Sequence, residues 1–156
     1  MANVGYKFET VASNALTASA TRTVLGVKSG ASFGLQVLTA CISFNAAAAA
    51  AGIEVQFCYC TFGANAPGTN STSITAVQSY GRSLTSGITG ASHWTTEPTT
   101  ITVLDSQFIQ QSGAYKWAFV LGKEPDCALG EGFAIRCITP AAVTPNYTAY
   151  FDVERV

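Results

Sequence analysis

The side chains able to do chemistry are few, and their spacing decides how they read. The chain has one histidine, His93, beside Trp94 in a polar stretch. An imidazole acts as a general base only when the fold brings it a nucleophile and an orienting carboxylate. No G-x-S-x-G, H-E-x-x-H or phosphate-loop pattern accompanies it. His93 therefore reads as a loop or packing residue, no catalytic residue is assigned, and the chain reads as no enzyme. The five cysteines, Cys41, Cys58, Cys60, Cys127 and Cys137, contain no C-x-x-C pair, so neither a zinc site nor a disulfide framework is signalled. Cys58 and Cys60, two apart in a strand, share a face and would hold a soft metal only with Cys41 or Cys137 opposite. Buried free thiols explain the same spacing more simply. Glu124, Asp126 and Glu131 surround Cys127 but lack the alternating oxygen ligands of a calcium loop, and read as a solvated turn. No metal and no other cofactor is expected.

Binding chemistry has better candidates. His93 and Trp94, side by side in a polar loop, and Tyr150, on the polar face of a strand, are the interface candidates, the two aromatic rings being of the type favoured there. Trp94 fits equally well folded back onto the core. The tripeptides Asn70-Ser71-Thr72 and Asn146-Tyr147-Thr148 match a glycosylation acceptor, which carries no meaning without an export signal. Residues 1–11 alternate apolar and charged groups and lack the continuous apolar stretch of such a signal.

The elements that must position these residues are strands. Tyr147, Ala149, Phe151 and Val153 alternate with Thr148, Tyr150, Asp152 and Glu154, the period of a half-buried strand. Tyr115, Trp117, Phe119 and Leu121 repeat it, as do Phe133, Ile135 and Cys137, and Tyr6 and Phe8 near the start. Both chain ends are thus expected in sheets. Residues 33–44 and 53–62 are apolar on both faces and rich in Val, Ile, Phe and Tyr, which suits core strands. The Ala-rich connection 45–52 has high helix propensity but is far below the roughly 12 residues an isolated helix needs, and reads as a loop, at most one turn. Residues 63–73 and 82–99 read as long polar loops. The expected architecture is all-β: a single domain over residues 1–156, a β-sandwich or a jelly-roll-like barrel with long loops.

Composition narrows the partners. With 156 residues the chain fits one core. Charged residues make up 11% and the net charge is −1, so no basic stripe exists to neutralise phosphates, and nucleic acid is excluded. The apolar run 46–51 is far too short to span a bilayer, so no membrane association is expected. A lone monomer usually keeps soluble through a charged surface. A neutral one suits a subunit partly covered by neighbours.

The order of segments adds a resemblance. The opening SNALTASATRTVLGVKSG, the strand ending CISFN, the Ala-rich connection, the strand IEVQFCYC, the HWTTEPT stretch at 93–99 and the closing GEGFAIRCITPAAVTPNYTAYFDVERV together resemble, over nearly the full length, small tailed-phage virion proteins of the head decoration, or cement, type. The five cysteines depart from that pattern. The resemblance implies a β subunit that binds the major capsid protein, associates with itself as a homotrimer and stiffens the shell. It would be made in the host cytoplasm and reside on the capsid surface of the virion. The alternatives are a virion-displayed adhesin that binds a host through loops 63–73 or 82–99, and a small hydrolase centred on His93.

Overall fold

A computed structural model of the chain describes residues 4–47 and 51–156. Alternating apolar residues build two antiparallel sheets packed face to face. In chain order the strands are β1 (Gly5–Glu9), β2 (Asn14–Ala15), β3 (Thr21–Lys28), β4 (Leu35–Asn45), β5 (Ile53–Thr61), β6 (Thr72–Ile74), β7 (Val77–Tyr80), β8 (Thr89–Ser92), β9 (Thr100–Ile109), β10 (Ala114–Ala118), β11 (Asp126–Cys127), β12 (Gly132–Ile138) and β13 (Asn146–Arg155). The first sheet runs β10-β4-β13-β1-β7, with β2 on β13 and β11 on β4. The second runs β6-β8-β3-β12-β5-β9. They do not close into a barrel, so the sandwich is the fold.

The C-terminal strand sits inside its sheet. β13 pairs with β4 from Asn146↔Asn45 to Arg155↔Leu35 and with β1 on its other side. Tyr147, Ala149, Phe151 and Val153 are buried, while Thr148 is exposed and Tyr150 and Asp152 are half-buried, as the alternation requires. β5 and β12 are buried on both faces. One face meets the other sheet, and loops cover the other.

Aromatic rings fill the centre. Phe57 on β5 stacks on Phe133 of β12, with centroids 5.5 Å apart and planes 5° off parallel. Its other neighbours are Trp117 at 5.8 Å, Phe119 at 5.3 Å and Phe151 at 6.3 Å. One side chain thus ties the second sheet to β10 and β13 of the first.

Several expectations need correction. The stretch 82–99 is no continuous loop, since β8 lies within it and pairs with β3 at Leu25↔Ser92 through Lys28↔Thr89. The stretch 63–73 opens with a 3-10 turn at Gly63–Asn65 and ends in β6. β10 stops at Ala118, and Leu121 stands 92% exposed in the turn beyond it. Gly122, at a φ of 81°, turns the chain there. The alternation also failed to mark β3 and β9 as strands. Asn45 ends β4, and residues 48–50 of the Ala-rich connection lie outside the described residues. No helix among the described residues is long and apolar enough to cross a membrane.

Phe57→Ala should destabilise the sandwich by about 3–5 kcal/mol, the usual result of emptying a buried aromatic site. It should appear as a lower urea midpoint with an unchanged slope. A loss below about 1 kcal/mol would remove Phe57 from the centre of the packing.

Candidate functional site

The segment after β8 carries His93, Trp94 and Glu97 and stays bound to β3. The His93 amide donates to the Val24 carbonyl at 3.1 Å and the Trp94 amide to that of Thr23 at 3.0 Å. β3 bulges here, because Ile135 pairs with Leu25 while Arg136 pairs with Thr23, leaving Val24 as the extra residue. Opposite the bulge, His93 has a φ of 58°, in the left-handed region that His enters more readily than most residues. Its side chain reaches from β3 to β13, and that of Trp94 lies on the outer face of the second sheet.

Trp94 takes the core placement and is not an exposed anchor. It is 1% exposed, stacks on Phe62 at 5.9 Å, and donates its indole N–H to the Asn65 carbonyl at 2.9 Å. Burying so large a ring with its one donor satisfied outweighs leaving it in solvent. Gly26 makes the room, since a Cβ there would stand 2.9 Å from the indole. Cys58, Cys60, Ala91 and Ala134 complete this second small core. Glu97 pins the loop, its carboxylate accepting from the Thr23 amide at 2.7 Å and the Thr23 hydroxyl at 2.8 Å, with Arg136 Nε at 3.6 Å.

His93 bridges the two sheets. Its Nε2 lies 2.7 Å from Arg22 Nη1 on β3, and its Nδ1 lies 3.2 Å from the Tyr147 hydroxyl on β13. A guanidinium only donates, so Nε2 accepts and the proton sits on Nδ1, which donates to Tyr147. Burial and then the neighbouring Arg22 charge hold the imidazole below its ordinary value of 6.5. Both ring nitrogens are engaged, Nε2 by the Arg22 guanidinium and Nδ1 by the Tyr147 phenol hydroxyl.

The remaining sequence candidates are dispersed. Tyr150 lies half-buried on the outer face of the first sheet, with the Lys7 ammonium 4.5 Å from its ring centre. Cys58 and Cys60 do share a face, but Cys137 lies in the inter-sheet core on the other side and Cys41 is on the other sheet. Burial pushes the Cys58 thiol up to about 12 and the Cys127 thiol up to about 11, and raises Cys60 and Cys137 as well. Glu124 accepts from the Gly122 amide, and Glu131 from the Ala128 amide. Among the described residues no three His, Cys, Asp or Glu side chains converge on a point.

One depression stands out on the first sheet, an open pocket of about 270 Å³ between β4, β13, β1 and β7. Two bulges meet there, at Asp152/Val153 and at Gly5/Tyr6. The Tyr80 ring crosses Gly5, where any Cβ would collide with it, and its hydroxyl donates to the Glu154 carboxylate. Asp152, raised by burial, lines the pocket with Thr39 and Ser79. Sequence reasoning missed Tyr80, Arg22, Glu97 and Gly26. Only the two bulges and the loop path bring them into play, and neither leaves a periodic signal.

Comparison with protein-family models, curated proteins and solved structures returned no match.

Two outcomes follow from the geometry. Because folding depresses the His93 pKa, its contribution to stability is complete above pH ~6.5 and declines as the pH falls through the depressed folded value. Wild type should therefore lose more melting temperature between pH ~7.5 and ~5 than His93→Asn, which tolerates the same backbone. His93→Ala should cost roughly 1–2 kcal/mol at neutral pH, and identical pH profiles for wild type and His93→Asn would refute the bridge. A thiol reagent should label only the half-buried Cys41 in the native protein and all five cysteines once it is denatured.

Proposed function

We propose that the chain is a structural virion protein that decorates a phage capsid, binding the head surface and stabilising the shell. The observation that carries this reading is the direction in which the side chains are spent. His93, Arg22, Trp94 and Glu97 hold the protein's own loops and sheets together. Large apolar groups meanwhile stand in solvent, among them Leu121 at 92% and Val11 at 86%. A surface that is nearly uncharged, in a chain 11% charged with a net charge of −1, suits a subunit covered by other proteins more than a free monomer. The resemblance of the chain's segments to head decoration proteins supplies the partner, the major capsid protein, and the site, the virion surface.

The mechanism is cement action. The segment 93–97 is bonded to β3 and β13 and does not need to be ordered on docking, which lowers the entropic cost of binding. Each copy bridges neighbouring capsid subunits and adds buried area across their seam. Modest free energy per contact suffices, because many symmetric copies act together.

A second reading, a virion-displayed adhesin, is favoured by the Tyr80 pocket, whose carboxylate, hydroxyls and aromatic wall suit a small polyhydroxylated ligand. One experiment separates the two. Purified protein mixed with mature phage heads should co-sediment at a saturating ratio fixed by the shell's symmetry and raise the temperature at which heads open. Absence of binding to heads, with binding to host cells instead, would overturn the decoration reading in favour of the adhesin.

A further inference from the structure

β9 is an edge strand of ten residues, bonded to β5 on one side and, among the described residues, to no strand on the other. An open edge presents a row of unsatisfied backbone donors and acceptors, and proteins usually blunt it with brevity, Lys or Pro, a bulge or an inward-pointing charge. The other edges are brief: five residues in β10, four in β7 and three in β6. β9 is long, contains no Lys, Arg or Pro, and exposes Phe108 at 78%, Leu104 at 50% and Val103 at 44%. Its blunting features are the bulge at Leu104 and one inward-pointing charge, Asp105, whose carboxylate is already engaged, accepting from the Trp117 indole N–H at 2.6 Å.

From these features we propose that β9 pairs with β9 of a second copy, antiparallel about a two-fold axis between Leu104 and Asp105, joining two sandwiches through one continuous sheet. This deepens the reading of the chain as an assembling subunit and rests on it for its purpose, though not for its geometry. Length selects the occupant, since no other edge among the described residues offers ten residues to match. A two-fold contact is self-complementary, so one edge suffices for both copies.

The register follows from the bulge. Cys58 pairs with Val103 and Phe57 with Asp105, leaving Leu104 extra. Before the bulge, Ile101 and Val103 point outward, Ile101 packing on the outer core. After it, Ser106 and Phe108 point outward, Ser106 bonding Glu54, while Asp105 points inward. Opposed residues in an antiparallel pair must share a face. Partner numbers must therefore sum to an odd value, and full overlap gives 209. Ile101 then faces the partner's Phe108, Val103 the partner's Ser106, and Thr102 the partner's Gln107. Each Asp105 then opposes the partner's Leu104 and lies one residue from the partner's Asp105 across the axis, with its carboxylate turned into its own core by the bond to the Trp117 indole. The bulge, which protects an edge against random partners, here restricts pairing to a strand bulged in the same way. The resulting dimer differs from the three-fold ring implied by the family resemblance, whose head-to-tail contact joins two unlike surface patches.

The strand contact is smaller than the ~800 Å² per partner of a standard complex, so association should be concentration-dependent. Sedimentation equilibrium of the full chain should show monomer and dimer, with the dimer growing with concentration up to ~0.5 mM. Phe108→Glu and Phe108→Ser, at a position already exposed, should keep the wild-type circular dichroism and melting temperature and weaken dimerisation at least tenfold. The double variant V103C/S106C should oxidise to a covalent dimer with its link mapped between 103 and 106, because directly opposed residues lie within disulfide reach. A wild type that stays monomeric at that concentration, or a trimer indifferent to both Phe108 variants with no 103–106 link, would overturn the proposal. A dimer that behaves as described but ignores phage heads would overturn the decoration reading alone.

Discussion

The structure depends on one constraint: two sheets with almost no charge to organise them must be held in register by ring packing. Phe57 meets Phe133 beside it in its own sheet, and Trp117 and Phe151 across the gap. Aromatic contacts have preferred geometries, so this cluster fixes how the sheets face each other as well as how far apart they stand. The loops, the sandwich end and the exposed edge all take their positions from it.

The second consequence concerns polar groups. In a chain that is 11% charged, each buried polar side chain needs a neutral or singly paired partner. The segment 93–97 meets that need three times, with His93 between Arg22 and Tyr147, the Trp94 indole on Asn65, and Glu97 on Thr23. Residues that look chemically ready in the sequence are occupied in the fold. The functional reading turns on contact between proteins because these side chains are committed to the protein's own loops and sheets.

Much of the sandwich is legible in the sequence. Period-two alternation marks β1, β12 and β13, and the doubly apolar runs mark β4 and β5, because side-chain burial on one or both faces of a sheet leaves a direct imprint. β3 and β9 escape for opposite reasons. The bulge at Val24 breaks the period of β3, while β9 lies at an edge where few of its residues are buried. β8 hides in a Ser, Thr and Gly stretch because small residues are needed there: a Cβ on Gly90 would collide with Phe8. The site was less legible. Trp94 offered two placements, and only Gly26, 68 positions earlier, decides for the core.

The claim that this neutral sandwich acts by covering a larger shell is tested most directly by electron-microscopy reconstructions of mature heads with and without the protein. The account predicts added density at symmetry-related positions on the outer surface, each lobe sized for a two-sheet sandwich and touching more than one capsid subunit. Two superimposable maps, with no density gained at saturating protein, would contradict it.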